Sequence, residues 1–141
     1  MSTNRIISRV VLLLAIINAT SVAQRKPLHI SVREIADGFF VHTSYAYLDG
    51  RAFPSNGLFV STSRGTLLVD TGWDEPQTEQ ILSWVDSVLG QPIILCIVTH
   101  FHSDRLGGAG ILYKHEIPIV STALTARLAP EPEKGFLQGI A

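Results

Sequence analysis

His100, His102 and Asp104 stand at alternate positions in the run Ile97-Val98-Thr99-His100-Phe101-His102-Ser103-Asp104-Arg105-Leu106-Gly107-Gly108. Zinc sites are built from imidazole nitrogens, thiolates and carboxylate oxygens, so these residue types suit a zinc ion. In an extended segment residues i, i+2 and i+4 share one side, which predicts that the three heads converge. Two neutral imidazoles hold one ion in this reading, and Asp104 binds the same ion or a second one. Zinc lowers the pKa of water from about 15.7 to near 7, which makes hydroxide available at neutral pH to attack a carbonyl carbon. Catalytic zinc takes about three protein ligands and keeps one position open, so these residues begin such a site without completing a two-metal one. Blander readings stay open: histidines simply solvated near a strand end, Asp104 capping the following helix, or Arg105 paired with Asp104. The H-x-H-x-D-R-x-G-G string is much longer than a bare H-x-H, and that favours the metal.

The elements that must position these residues are visible in the hydrophobic pattern. Ser31 to Ile35 and Phe39 to Tyr47 read as strands around a turn at Asp37-Gly38. Leu48-Asp49-Gly50-Arg51 is a second turn signal and Pro54-Ser55-Asn56-Gly57 a third. Leu58 to Thr62 and Thr66 to Thr71 form a hairpin around Ser63-Arg64-Gly65. The period then changes. Asp74 is placed to cap a helix, with Pro76 in its first turn and Gln77 three residues on. Ile81, Leu82, Val85, Val88 and Leu89 follow at helical spacing, and Gly90 closes the segment. A buried strand over Ile93 to Val98 leads into the motif. A short helix runs from about Arg105 to Lys114, its start brought close to the sheet by Gly107, Gly108 and Gly110. Pro118 to Ser121 is a further strand, Ser121 a cap for a helix over Thr122 to Leu128, and Ala129 to Gly135 a loop. Strands and helices alternating after a meander predict an α/β layered domain.

The remaining composition narrows the function. Met1 to Arg9 is basic, Val10 to Ile17 is unbroken apolar, and Ser21-Val22-Ala23 ends in small residues. This is the tripartite form of a secretory signal over residues 1–23, with residues 24–141 as the exported domain. The apolar run is far short of the roughly 20 residues that span a bilayer. Eleven basic and twelve acidic residues, with no basic block, suggest neither nucleic acid nor a membrane surface as partner. Cys96 is the single cysteine, so no internal disulfide can form, and its apolar neighbours mark it as a buried, inert thiol. His29, His42 and His115 read as structural or surface residues, and no histidine follows His115.

These motifs together resemble the class B, zinc-dependent β-lactamases, of the first, dizinc subclass. The likeness is carried from about Val32 to Leu128 by Asp37-Gly38, Val41-His42-Thr43, Pro54-Ser55-Asn56-Gly57-Leu58, Gly65 to Asp74, the metal motif and Ser121 to Thr125. Arg105 strengthens it, because relatives acting on thioesters, lactones or RNA carry a metal-binding histidine at that place. The resemblance implies the N-terminal half of a metallo-β-lactamase-type αββα sandwich, whose exposed partner face should be apolar. It implies His100 and His102 on a first Zn2+, and Asp104 on a second, orienting the bound hydroxide. Asp70 and Arg105 would stand behind these ligands. Tyr45, Tyr47 and Phe53 would lie on a mobile hairpin over the substrate. It further implies hydrolysis of the β-lactam amide of penicillins, cephalosporins or carbapenems, a periplasmic or secreted location, and a monomer for the complete domain. The family's other histidine and cysteine ligands have no counterpart in this chain, so by itself it is expected to have little activity. The alternatives are another hydrolase of the superfamily, acting on a lactone, ester or thioester, or a non-catalytic fragment.

Overall fold

A computed structural model describes residues 29–140. The leader read over residues 1–23 lies outside the described residues. Seven strands form one sheet in chain order: β1 (Ser31–Ala36), β2 (Phe39–Leu48), β3 (Arg51–Thr62), β4 (Gly65–Val69), β5 (Ile93–Ile97), β6 (Ile119–Thr122) and β7 (Gln138–Ile140). The first four pair antiparallel as a meander, and β4 through β7 pair parallel. Parallel neighbours need crossovers, and helices supply them. Helix α1 (Glu75–Trp84) joins β4 to β5, α2 (Ser103–Leu106) and α3 (Ala109–Lys114) join β5 to β6, and α4 (Ala123–Leu128) follows β6. The α/β class expected from the sequence is the class observed.

Local chemistry explains the boundaries. Asp74 caps α1 as expected, its Oδ1 accepting the Gln77 N–H at 2.8 Å, with Pro76 in the first turn where no amide is needed. The helix widens to π geometry over Val85–Leu89 and stops at Gly90, whose φ of 61° is left-handed.

Four expectations need correction. Pro54-Ser55-Asn56-Gly57 is no turn, because β3 runs straight through it. Pro54 lies opposite Tyr45, whose N–H and C=O turn outward to the Gln77 side-chain amide at 2.7 and 2.9 Å. The missing proline N–H therefore breaks no ladder bond, and β4 pairs only with the later part of β3. The helix after the metal motif is two helices, split at Gly107-Gly108. A Cβ on Gly108 would lie 1.8 Å from Thr78 Oγ1, so the close approach is to α1 and not to the sheet. Thr122, not Ser121, caps α4 by accepting the Thr125 N–H at 3.2 Å. The tail is also more ordered than a loop, with a 3₁₀ turn at Glu133–Phe136 and then β7 on the sheet edge.

The register divides the sheet faces. Phe59, Leu68, Cys96 and Ile119 are cross-strand partners in one row, and all are buried with Ile81, Val85 and Leu112 of the helices. Neighbouring residues point the other way. There Val41, Leu58, Val69, Ile97 and Val120 make a second row across five strands, and none belongs to the core cluster. Parallel strands are ordinarily covered on both faces, so among the described residues this apolar row is incompletely covered.

Candidate functional site

On the helix-side face the sheet changes character toward the carboxyl ends of β4 and β5. The row below is Phe40, Phe59 and Leu68, whereas the positions beyond it are His42, Ser44, Ser55, Gly57 and Asp70, all buried. Strand ends of open α/β sheets are where sites collect, and the metal motif starts here, directly after β5.

Asp70 organises this end. Its backbone is left-handed, with φ 62° in a non-glycine residue, a conformation aspartate tolerates better than most. The turn sends its carboxylate to Thr99: Oδ1 accepts the Thr99 N–H at 2.8 Å, and the Thr99 hydroxyl lies 2.9 Å from both oxygens. Thr99 Oγ1 in turn lies 3.3 Å from His100 Nδ1. Burial pushes the Asp70 carboxyl above the usual range, while the Thr99 bonds and the Arg105 charge pull it back. The Asp70 carboxylate is thus buried beneath the start of the His100–Asp104 run.

The motif is not an extended strand. Strand β5 ends at Ile97, and His102 is already the residue before α2, so Asp104 sits in the first helical turn. A loop turning into a helix brings His100 and Asp104 together, with Nε2 to Oδ1 at 3.8 Å. The rings of His100 and His102 have centroids 5.2 Å apart, and His102 stacks on Phe101 at 4.4 Å. His102 is exposed, and 40 % of the His100 side chain is accessible, so both imidazoles can reach a ligand from solvent. Two imidazoles beside a carboxylate are a donor set that fits zinc. Among the described residues, however, no three His, Cys, Asp or Glu side chains gather tightly enough to enclose an ion. Asp104 is held elsewhere: Oδ2 lies 3.1 Å from Arg105 Nε and 3.3 Å from the Ser55 hydroxyl.

Arg105 links the parts. Its guanidinium lies 3.6 Å from Asp70 Oδ2, pairs with Asp104, and donates to the Asn56 carbonyl of β3. Its own carbonyl accepts from the Thr71 amide at 2.9 Å and the Thr71 hydroxyl at 3.0 Å. Helix α2 is thus fastened to β3 and to the end of β4.

The β2–β3 hairpin tip, with Leu48 opposite Arg51, rises beside the site. Its aromatics divide. Phe53 pairs with Ala46 on the face that carries Ser55 and His42, whereas Tyr45 and Tyr47 alternate to the other face. Tyr47 and Phe53 are exposed, and Gln77 of α1 clasps the hairpin base at Tyr45. Cys96 is buried in the core, its thiol pushed up by burial, as expected for an inert cysteine. His29 is exposed, and His115 lies 3.6 Å from Glu79 on the surface.

Sequence reasoning passed over Ser55, Thr99 and the inward aim of His42. Ser55 was hidden by the apparent turn. His42 and Ser44 carried a usable signal: they are polar residues at the inward positions of a strand whose Phe40 faces the core.

The chain is similar to known proteins over most of its described length. Residues 50–137 match the Metallo-beta-lactamase superfamily. A curated metallo-beta-lactamase type 2 of Bacillus cereus is 41% identical over 115 residues, 79% of this chain and 45% of that protein. A solved metallo-beta-lactamase from Pontibacter korlensis superposes with a TM-score of 0.74 at 39% identity, covering 79% of this chain and 53% of the other. FIM-1 from Pseudomonas aeruginosa, solved in a mono-zinc form, gives 0.73 at 35%, covering 84% and 52%. The chain spans about half the length of the relatives it matches.

Proposed function

This chain belongs to the metallo-beta-lactamase superfamily, and we propose on that premise that it serves zinc-dependent hydrolysis of the β-lactam amide. The observation that supports the reading is that His100 lies near both Asp104, at 3.8 Å, and the ring of His102, at 5.2 Å between centroids, with Asp70 and Arg105 bonded behind them. His100 and His102 would hold one zinc ion as neutral imidazoles, with Asp104 toward the same ion or a second. Zinc so held supplies a Lewis acid and an activated water for attack on an amide carbonyl.

The chain's own residues do the positioning. Asp70 holds Thr99, and Thr99 holds the backbone from which His100 projects. Arg105 is anchored to Asp70, Asp104 and Asn56, which suits a guanidinium that keeps the Asp104 carboxylate in place. That engagement favours the lactam reading over a superfamily hydrolase with a metal-binding histidine at this place. Phe53, exposed on the site-side face of the hairpin, offers an apolar contact to a small-molecule substrate. The basic, apolar and small-residue blocks of residues 1–23 support export to the periplasm or medium.

Three donors do not make a two-metal site, so this chain by itself should turn over little substrate. Zinc titration of the full chain tests the donors. We expect weak binding that His100→Ala with His102→Ala removes, and equal affinity in the double variant would defeat the assignment. A chromogenic cephalosporin should be hydrolysed slowly or not at all by this chain. Fast, chelator-sensitive hydrolysis would show that three donors suffice.

A further inference from the structure

His42 is wholly buried, and what its ring nitrogens face is the backbone of Val69 and Asp70, at less than full hydrogen-bond geometry. A polar ring held only by such weak bonds is costly to bury, and an aromatic hydrocarbon fills a purely apolar space without that cost. Phe40, two residues earlier on the same face, does just that against Phe59 and Trp84. The fold nevertheless makes room for this imidazole. Its cross-strand partner is Gly57, and the ring lies directly over that glycine. A Cβ on Gly57 would stand 2.1 Å from His42 Nε2 and 2.5 Å from the Val69 carbonyl, so no other residue fits there. The same distances make the ring a neighbour of Val69, the last residue of β4 before the left-handed Asp70. On its other side the ring stacks on Phe59, with centroids 5.1 Å apart and planes 15° apart. The imidazole is thus a wedge with Phe59 behind it, Gly57 beneath it and the end of β4 in front.

We propose that His42 is a positioning residue, whose ring fixes the turn at Asp70 and, through the Asp70 carboxylate, the Thr99–His100 backbone. The route is short and every link is a contact: ring to Val69, Val69 to Asp70, Asp70 Oδ1 to the Thr99 N–H at 2.8 Å, and Thr99 Oγ1 to His100 Nδ1 at 3.3 Å. A flatter or rotated turn at Asp70 would carry its carboxylate away from Thr99 and also from Arg105, now 3.6 Å distant. The wedge works at the β4 end, so the remote core should not register its loss. Its consequence for metal binding rests on the zinc reading above, but the positioning itself does not.

The test uses the ¹⁵N-labelled full chain with His42→Phe, which keeps a ring on Phe59 but removes both nitrogens, and His42→Gln, which keeps a polar head. Amide exchange at Thr99 should quicken about tenfold in His42→Phe, the loss of one hydrogen bond's worth of protection. The amides of Cys96 and Leu112, away from these contacts, should stay as they were, and His42→Gln should recover part of the protection. Zinc affinity should fall about tenfold in parallel, the low end of what supporting partners of a metal ligand contribute. Thr99 protection within twofold of wild type in His42→Phe would overturn the proposal. Should that variant not fold, native-state exchange of the wild-type chain in mild urea decides. The amides of His42, Asp70 and Thr99 are expected to open as one unit, and separate opening would overturn it. If Thr99 loosens while neither form binds zinc, the positioning stands and the zinc reading falls. If both forms bind zinc alike and Thr99 is unchanged, the positioning alone falls.

Discussion

Acidification should unfold this domain through His42 before most of its carboxylates matter. Burial lowers the His42 pKa from the ordinary 6.5 to about 4, opposed by the backbone of Val69 and Asp70 and assisted by the Arg105 charge. Between those two values the unfolded chain holds a proton on this imidazole and the folded chain does not. Stability therefore falls as pH drops, the contribution being complete above about pH 7 and gone near pH 4. At 1.36 kcal/mol per pKa unit the full contribution is about 3 kcal/mol, a large part of the roughly 5–15 kcal/mol that a domain has. Asp70 works in the opposite sense. Its carboxyl is raised by burial, so it gains relative stability as pH falls through the carboxylate range. The Arg105 charge stays constant and disfavours His42 protonation throughout. Urea unfolding at pH 7, 6, 5 and 4, followed by the fluorescence of Trp84 beside Phe40 and Phe59, measures the slope. His42→Phe should flatten it over the window from 6.5 to about 4. Wild type and His42→Phe with the same pH dependence there would refute the reasoning.

Three further outcomes are expected from the same contacts. Gly57→Ala should destabilise by about 1–3 kcal/mol, since its Cβ would meet both His42 Nε2 and the Val69 carbonyl, and the thermal midpoint should drop accordingly. Asp74→Ala should cost about 1 kcal/mol by removing the cap on the Gln77 N–H, read as a shift in the urea midpoint with unchanged slope. Cys96, wholly buried with its thiol pushed up, should react with a thiol reagent only after denaturation, and rapid labelling of the folded chain would contradict the core as described.

Much of the fold was legible because its signals are local. The cap at Asp74, Gly90 as a stop and the switch from period two to helical spacing depend on neighbours in sequence, and all appear where expected. The misreadings came from interactions that sequence distance hides. Pro54 to Gly57 carries every mark of a turn, and only the Gln77 amide at Tyr45 and the late start of β4 pairing make a strand with a proline acceptable. The split between α2 and α3 is set by Thr78, thirty residues from Gly108 along the chain and against it in space. Around His100, His102 and Asp104, the residue types could be read directly, whereas the path of the backbone between them could not. Alternation along a strand was the simplest geometry, and a loop entering a helix is the one found.

The sheet register explains why the polar residues gather where they do. One face of β2 and β3 runs from Phe40 and Phe59 to His42, Gly57, Ser44 and Ser55 without a change of side. The apolar part meets α1 through Trp84, and the polar part meets α2 through Asp104 and Arg105. A single-residue slip of β2 against β3 would exchange every inward and outward side chain of β2. It would turn Val41 toward the helix side and send His42 to the open face. The long β2–β3 pairing and the fit of His42 over Gly57 both oppose that slip, since only one register puts a glycine under the ring. The wedge that supports Asp70 is therefore also a register mark, and changes at Gly57 should disturb strand alignment and the Thr99–His100 backbone together.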